Sequence, residues 1–141
     1  MFFMGTFTPR LDEKGRLFLP AKFRDRLAEG VVVTRGQEKC LVVWPQDVFE
    51  AEAARVMAQP RERRGTRDVT RSFFSGADSG TPDKQGRIAI PPLLRAYAGL
   101  EKDVAVIGVG DRLEIWDQAR WLEYDAETAE KFSDLDEEPQ A

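Results

Sequence analysis

The chain has 141 residues, of which 42% are hydrophobic and 33% are charged, a composition typical of one globular domain or two very small ones rather than of a disordered or membrane protein. It contains no histidine and one cysteine, Cys40, which excludes histidine-based triads, histidine metal sites, intrachain disulfides and four-cysteine zinc sites. The formal charge of -4, from 21 Lys and Arg against 25 Asp and Glu, argues by itself against a nucleic-acid partner.

The first part of the chain predicts a small unit of short strands and turns, at 5–48. Asp12 and Gly15 form an Asp-x-x-Gly turn, since Asp bonds back to nearby amides and Gly tolerates positive φ. Runs of β-branched residues favour buried strands over helices. In chain order we predict a strand at 6–9, the turn, a strand at 17–19 closed by proline, a helix at 21–27 ended by Gly30, and strands at 31–35 and 40–44.

A helical connector is predicted next, at 49–75. An apolar stripe at helical spacing indicates a helix at 45–57, and a basic stretch at 60–67 leads into a second helix at 68–75.

The second unit, at 76–120, repeats the first. The frame Asp-x-x-Gly-Arg-apolar recurs at Asp83, 71 residues after Asp12, and the correspondence extends over about thirty residues. Because a unit of this size buries too little surface alone, we expect the two units to pair within the chain around a pseudo-two-fold axis. Its predicted elements are strands at 76–81, 88–90, 104–109 and 113–116, and a helix at 93–98 ended by Gly99.

Charge is distributed unevenly along the chain. Residues 1–120 hold 20 Lys and Arg against 17 Asp and Glu, whereas residues 121–141 hold one Lys and eight acidic residues. We expect the tail at 121–141 to be flexible and frayed. The argument from net charge against nucleic acid therefore applies to the tail and not to the body.

The paired basic turns are the main candidate functional site. Arginine side chains on two related turns could grip two points of a DNA backbone, or match guanine O6 and N7 in the major groove. The alternative is that Asp12–Arg16 and Asp83–Arg87 are salt bridges that only pin each turn, each contributing roughly 0–1 kcal/mol. Because carboxylates repel phosphate, we assign turn formation to Asp12, Gly15, Asp83 and Gly86, and DNA contact to the basic residues Arg10, Lys14, Arg16, Lys84 and Arg87.

Other reactive groups indicate no catalytic site. Cys40 has no histidine to activate it and is expected in the core. The carboxylates of Asp12-Glu13 and 134–138 are typical of solvated surface, and Trp44, Trp116 and Trp121 of packing. The chain has no Gly-rich phosphate loop, no signal peptide and no apolar run near the roughly 18 residues of a membrane span. We expect no enzyme activity, no metal and no cofactor.

The frame Asp12-x-x-Gly15-Arg16-apolar-x-apolar-Pro20, with a short helix and a Val-rich hairpin after it, resembles the AbrB/MazE-type swapped-hairpin unit. Two such copies, with Leu113–Trp116 and a Met-Phe start, resemble the MraZ family from residue 1 to about 121. The resemblance implies an α+β fold, mainly β with short helices, in which the tandem units pair into a pseudo-two-fold β-barrel with helices between the repeats.

The resemblance also implies a function. MraZ proteins are DNA-binding transcriptional regulators, usually repressors, of the bacterial division and cell wall gene cluster. They form ring-shaped homo-oligomers in the cytoplasm and nucleoid and bind short direct repeats in their own promoter region, so we expect no membrane or small-molecule partner.

The family's DNA-contacting arginine falls on Arg16 and, in the second copy, on Arg87. Lys14 matches a basic position of the motif, and Lys84 lies one residue before its equivalent. Charge alone adds Arg10, Lys22 and Arg24. A hydrophobic edge that includes Phe2, Phe3 and the strand at Val31 is our expectation for the subunit contact.

The alternative function is a protein-binding module. Antitoxins use the same fold unit and wrap a basic toxin with a flexible acidic tail, as the stretch from Tyr124 onward would. The duplication argues against this alternative, because antitoxins of this type usually carry one unit per chain.

Overall fold

The structure is a computed structural model that describes residues 1–135. The end of the acidic tail lies outside the described residues, together with its predicted surface carboxylates Asp136, Glu137 and Glu138.

Up to residue 117, the described residues follow the predicted order of elements, with bounds shifted by at most a few residues. The strands are β1 (Thr6–Phe7), β2 (Arg16–Phe18), β3 (Val31–Arg35), β4 (Leu41–Pro45), β5 (Asp78–Gly80), β6 (Arg87–Ala89), β7 (Val104–Gly108) and β8 (Leu113–Asp117). The helices are α1 (Arg24–Leu27), α2 (Gln46–Met57), α3 (Arg64–Ser75), α4 (Pro92–Ala98) and α5 (Gln118–Ser133), and single 3₁₀ turns at Ala21–Phe23 and Gln37–Lys39 precede α1 and β4.

The two repeats exchange strands. A six-stranded antiparallel sheet has the order β1-β7-β8-β4-β3-β5, so β1 of the first unit pairs with β7 of the second and β5 of the second pairs with β3 of the first. Strands β2 and β6, one from each repeat, pair in a separate two-stranded ribbon. The predicted α+β fold of paired swapped-hairpin units is confirmed. Over residues 1–135 the ladders stay as two sheets and do not close into one hydrogen-bonded barrel.

One core lies between the large sheet and the β2–β6 ribbon. Alternation along each strand turns one side inward, so Leu17 and Ile88 of the ribbon are buried with Val33 and Val106 of the sheet. Both repeats supply this core in similar measure. Neither unit therefore has a complete hydrophobic core of its own, as the size of each repeat led us to expect.

The predicted hydrophobic edge for subunit contact is wrong for two of its three parts. Phe3 is only 1% exposed, because its backbone pairs with Gly110 and its ring packs edge-on against Phe23 at 5.0 Å. Val31 lies on β3, which β4 and β5 flank on both sides, and its side chain packs in the core and is 2% exposed. Phe2 alone stays on the surface, at 73% exposure.

The tail was predicted to fray from residue 121, and this is wrong as far as Ser133. The carboxylate of Asp117 accepts a hydrogen bond from the Arg120 amide at 3.1 Å and caps α5. The rings of Trp121 and Tyr124 then pack on Trp116, with centroids 5.3 and 4.7 Å away. These two aromatic contacts near the start of the helix hold it on the sheet, which a count of acidic residues does not indicate. Within the described range, no helix is long and apolar enough to cross a membrane.

We expect Phe3→Ala to lower the free energy of unfolding by about 3–5 kcal/mol, because it removes a fully buried ring. The matched change Phe2→Ala should shift it by less than about 0.5 kcal/mol, since that ring is exposed. Urea denaturation of both variants measures the difference. Equal effects of the two changes would contradict the burial of Phe3.

Candidate nucleic-acid interface

The first basic turn is held by one carboxylate. Asp12 accepts hydrogen bonds from the backbone amides of Lys14 and Arg16 through Oδ1, at 2.9 and 2.8 Å. Its Oδ2 accepts from Nε of Arg16 at 2.7 Å. Gly15 has a φ of +75°, which closes the turn and favours glycine. Asp12 therefore fixes both the backbone of the turn and the direction of the Arg16 side chain.

The second turn repeats this geometry closely. Asp83 accepts from the amides of Gln85 and Arg87 at 2.9 Å each, and from Nε of Arg87 at 2.8 Å. Gly86 has a φ of +81°. The predicted pair of related turns is thus present, and the ion pairs of the alternative hypothesis are present as well.

The pKa values of both turn carboxyls lie below the usual 3.8, chiefly because the amide of Arg16 donates to Asp12 and that of Arg87 to Asp83. A carboxyl whose pKa is lower in the folded state stabilises the fold above its unfolded pKa, and this stabilisation is lost as the pH falls through the folded value. The two carboxylates therefore contribute their full stabilisation at neutral pH, and they lose it in acid as they become protonated.

Each turn leads into one strand of the β2–β6 ribbon, the first into β2 and the second into β6. Arg16 lies opposite Ala89 and Phe18 lies opposite Arg87, while Leu17 and Ile88 turn inward. Arg16 and Arg87 are therefore on the outer face of the ribbon, as diagonal neighbours, a relation that places Cβ atoms roughly 7–8 Å apart. Their side chains are 32% and 21% exposed.

Each of these arginines is tied to its aspartate through Nε. Among residues 1–135, no hydrogen bond engages the two terminal Nη groups of Arg16 or of Arg87. The Asp–Arg ion pairs thus orient a guanidinium and leave its outer edge available. This geometry makes the two sequence hypotheses, a structural salt bridge and a DNA contact, compatible with each other.

A second pair of arginines crosses from each repeat to the turn of the other. Nε of Arg24 donates to the Leu19 carbonyl at 3.1 Å, and Nη1 of Arg95 donates to the Ile90 carbonyl at 2.7 Å. A Cβ atom on Gly86 would overlap the Arg24 side chain, and one on Gly15 would overlap that of Arg95. A side chain at either position would therefore push aside the flexible end of an arginine of the opposite repeat, in addition to meeting a positive φ angle.

The crossing arginines change the roles assigned from sequence. Arg24 was predicted from charge as a DNA contact, which stays a prediction, but the structure gives it the additional task of packing against the second turn. Sequence analysis missed Arg95. The signal was available, because Arg95 follows Arg24 by the same 71 residues that separate the two motifs.

The other predicted contact residues differ in whether their charged groups have partners. Lys14 and Lys84 are exposed at the turn tips. Arg10 pairs with Asp103 at 3.1 Å in a largely exposed ion pair, and Lys22 lies over the rings of Phe7 and Phe23. These partners do not bury the charges of Arg10 and Lys22, and both stay predictions as DNA contacts.

The residues considered for other chemistry lie away from the ribbon face. Burial, followed by the charges of Glu114 and Glu38, raises the pKa of the Cys40 thiol to about 12, so that it stays protonated. Trp44 is buried and donates to Thr34 Oγ1 at 2.9 Å, and Trp116 is 2% exposed. Within residues 1–135, no three acidic or cysteine side chains cluster as a metal site.

Comparisons with known proteins match both repeats to one family. The family model described as "MraZ protein, putative antitoxin-like" matches residues 2–72 and again residues 73–140, past the point near 121 where we expected the resemblance to end. The chain is 65% identical over 139 residues to the transcriptional regulator MraZ of Nocardioides sp. (strain ATCC BAA-499 / JS614), a match that covers 99% of this chain and 96% of that protein. It is 54% identical over 136 residues to the transcriptional regulators MraZ of Kineococcus radiotolerans and Thermobifida fusca, covering 96% of this chain and 95% of each.

We expect Gly15→Ala to destabilise the fold by slightly more than the roughly 1–2 kcal/mol that a left-handed φ costs an L-residue, because the new methyl also pushes aside the end of the Arg95 side chain. The control is Gly110→Ala, which has a similar φ of +84° but open space around its Cβ position. Thermal and urea unfolding of the two variants separate the φ cost from the overlap. When Arg95 is also replaced by alanine, Gly15→Ala should lower the free energy of unfolding by no more than Gly110→Ala does. A larger loss at Gly15 in that background would contradict the cross-repeat contact.

Proposed function

The chain belongs to the MraZ family and is a transcriptional regulator, and we propose that it acts by binding short direct repeats in promoter DNA through the outer face of the β2–β6 ribbon. The proposal includes repression of the division and cell wall gene cluster, whose promoter region would carry the repeats. Transcriptional regulators are generally not enzymes, which agrees with the lack of a catalytic pattern in the sequence.

The observation that carries the proposal is the pair of arginines that are each held by a salt bridge to an aspartate. A two-stranded ribbon fits the major groove of B-DNA, which is about 12 Å wide. Arg16 and Arg87 lie on the outer face of such a ribbon, each held through Nε by an aspartate of its own turn. A guanidinium held in this way presents two Nη donors to guanine O6 and N7 with little freedom left to lose.

The lysines at the turn tips fit phosphate rather than bases. Lys14 and Lys84 lie at the ends of the two turns that flank the ribbon, and a flexible ammonium acts as a point charge without bidentate geometry. Phosphate contacts position a protein on the duplex, and base contacts provide sequence specificity. We assign the lysines to the first task and Arg16 and Arg87 to the second.

We further propose that the protein works as a homo-oligomer, and repeat symmetry indicates which surfaces meet. Helix α2 follows β4 as α5 follows β8. The first of these helices is covered by α3, whose Phe73 stacks on Phe49 at 5.7 Å and also contacts Trp44. In the described residues no such helix covers α5, and Trp121 and Tyr124 stay half-buried.

Two exposed surfaces of the chain carry opposite charges. Helix α5 presents Glu123, Glu127 and Glu130 at helical spacing, with Leu122 62% exposed beside them. Helix α3 presents Arg64 and Arg71 on its exposed side, with the exposed Asp68 between them, together with Val69 at 59% exposure. We propose that α5 of one copy docks on the α2–α3 pair of the next. Such a head-to-tail contact joins different surfaces and closes into a ring when its rotation allows.

Assembly explains how weak single contacts give tight binding. Each neutralised phosphate adds a modest increment that salt reduces, and one ribbon makes few such contacts. Several ribbons held on a ring meet several direct repeats at high effective concentration, so the affinities multiply. The small positive balance of residues 1–120 is sufficient under this arrangement.

The antitoxin-like function is the second candidate, and the acidic surface of α5 is the observation that favours it. In that case the surface would hold a basic protein other than a second copy. A foreign protein that co-purifies in fixed ratio, and is lost when residues 122–141 are deleted, would support this candidate.

We expect Arg16→Ala to weaken binding to a duplex with one repeat element by roughly 5- to 150-fold, the range of one bidentate base contact. Arg55→Ala is the control, because it removes the same charge from an exposed residue of α2. Arg16→Lys should restore little, since lysine lacks the planar fork. Gel-shift titration with DNA from upstream of the protein's own gene, at several salt concentrations, measures each effect; unchanged affinity of Arg16→Ala would refute the proposal.

For assembly, we expect Glu123→Arg/Glu127→Arg and Arg64→Glu/Arg71→Glu each to dissociate the oligomer, because each places like charges across the contact. Combining the two pairs should restore it. Native mass spectrometry counts the subunits, and Glu29→Arg/Glu101→Arg serves as a control with the same charge change at exposed sites elsewhere. Wild-type assembly in both single-surface variants would exclude this interface.

A further inference from the structure

On the outer face of the β2–β6 ribbon, the two repeats carry the same residue at the arginine position and different residues at the position two further along each strand. Arg16 and Arg87 are equivalent positions of the repeat, whereas Phe18 is equivalent to Ala89. Across the ladder, Phe18 lies opposite Arg87 and Arg16 lies opposite Ala89. One end of the face therefore carries an aromatic ring beside its arginine, and the other end carries a methyl group.

Packing does not account for Phe18. Its side chain is 49% exposed, while the neighbouring Leu17 is fully buried in the core. The equivalent strand forms with alanine at this position, so the ribbon does not need the ring. The polar group in contact with the ring is the guanidinium of Arg87, which lies 5.8 Å from the ring centroid.

The chemistry of the major groove supplies an apolar partner for such a ring. The 5-methyl group of thymine is the apolar feature of that groove, and phenylalanine is one of the side chains that contact it. We propose that Phe18 contacts the 5-methyl group of a thymine next to the guanine bound by Arg87. This inference rests on the proposed DNA-binding function and adds to it a thymine-specific contact.

The asymmetry also orients the protein on its site. A ribbon with exact two-fold symmetry reads a palindromic element equally well in both directions. With Phe18 at one end and Ala89 at the other, a single direction brings the ring onto the thymine methyl. Direct repeats present every element in the same direction, so an oriented ribbon lets successive subunits bind them in the same way.

The ring has a second effect on the same contact. It supports the Arg87 guanidinium from one side, while Asp83 holds Nε from another. Loss of Phe18 could therefore weaken binding through Arg87 alone. The experiment must separate this effect from contact with the methyl group, and substitution on the DNA does so.

The test uses a duplex with one element, recovered by in vitro selection with the wild-type protein from a random pool. Each thymine is replaced in turn by deoxyuridine, which lacks only the 5-methyl group. Wild-type protein should lose about fourfold in affinity at one position, the value of one buried methyl group. Phe18→Ala should bind the thymine duplex more weakly and should show no further loss with deoxyuridine at that position.

Ala89→Phe is the matched variant, because it places a ring at the equivalent position of the other strand. It should gain sensitivity at a second thymine, related to the first by the pseudo-two-fold axis, when one is present there. Retention of the wild-type deoxyuridine pattern by Phe18→Ala would overturn the inference, and so would insensitivity of the wild-type protein at every thymine. Arg16→Ala on the same duplex separates the two levels: if Arg16→Ala loses binding while Phe18→Ala keeps the wild-type deoxyuridine pattern, the role of Phe18 is refuted and the proposed function stays intact.

Discussion

The guanidinium groups of Arg24 and Arg95 lie over the glycines of the opposite turns, and this crossing contact joins the two repeats where the ribbon forms. Each arginine also donates to a carbonyl at the end of its own ribbon strand, Leu19 or Ile90. The side chain therefore spans from its own repeat to the turn of the other. A Cβ atom at either glycine would push the arginine end away from the turn, so the contact in its present form uses the same glycines that close the turns.

Within each turn, one carboxylate both holds the backbone of the turn and orients the side chain of the arginine that follows. Asp12 holds its turn by accepting two backbone amides, and it holds Arg16 through Nε. A salt bridge of this form is often taken as a reason to regard an arginine as structural. Here the ion pair occupies the Nε side of the guanidinium, and within residues 1–135 the two Nη groups make no hydrogen bond. An aspartate that would repel phosphate at the surface instead becomes the support of the arginine beside it.

Duplication gives the molecule symmetry, and the departures from that symmetry carry the specific properties. Helix α3 covers α2 and has no counterpart over α5 within residues 1–135, so the second repeat keeps an exposed aromatic and acidic surface. On the ribbon, the equivalent positions 18 and 89 also differ between the repeats, with phenylalanine in the first and alanine in the second. The first difference suits contact with another copy of the chain, and the second suits a DNA site that has a direction.

Much of this protein was predictable because its signals are local or repeated. The Asp-x-x-Gly turns and the β-branched strands follow from short-range preferences, and the pairing of the two units follows from a motif found twice. The exchange of strands between them was implied by the resemblance to the swapped-hairpin unit. The burial of Phe3 and the helix beyond Trp121 were not predictable in this way, since each depends on distant partners, Phe23 and Gly110 in one case and Trp116 in the other. The same is true of Arg95 over Gly15.

The sequence by itself determined the repeats, the turns and the candidate arginines, because a turn and its ion pair form among neighbours four residues apart. Only the tertiary structure decided which edge of Arg16 is left available, which turn Arg24 packs against and which face of the ribbon Phe18 shares with Arg87. Those relations arise when strands about 70 residues apart pair, as β2 and β6 do. The register of that pairing is set by burial of Leu17 and Ile88 in a core that both repeats build together.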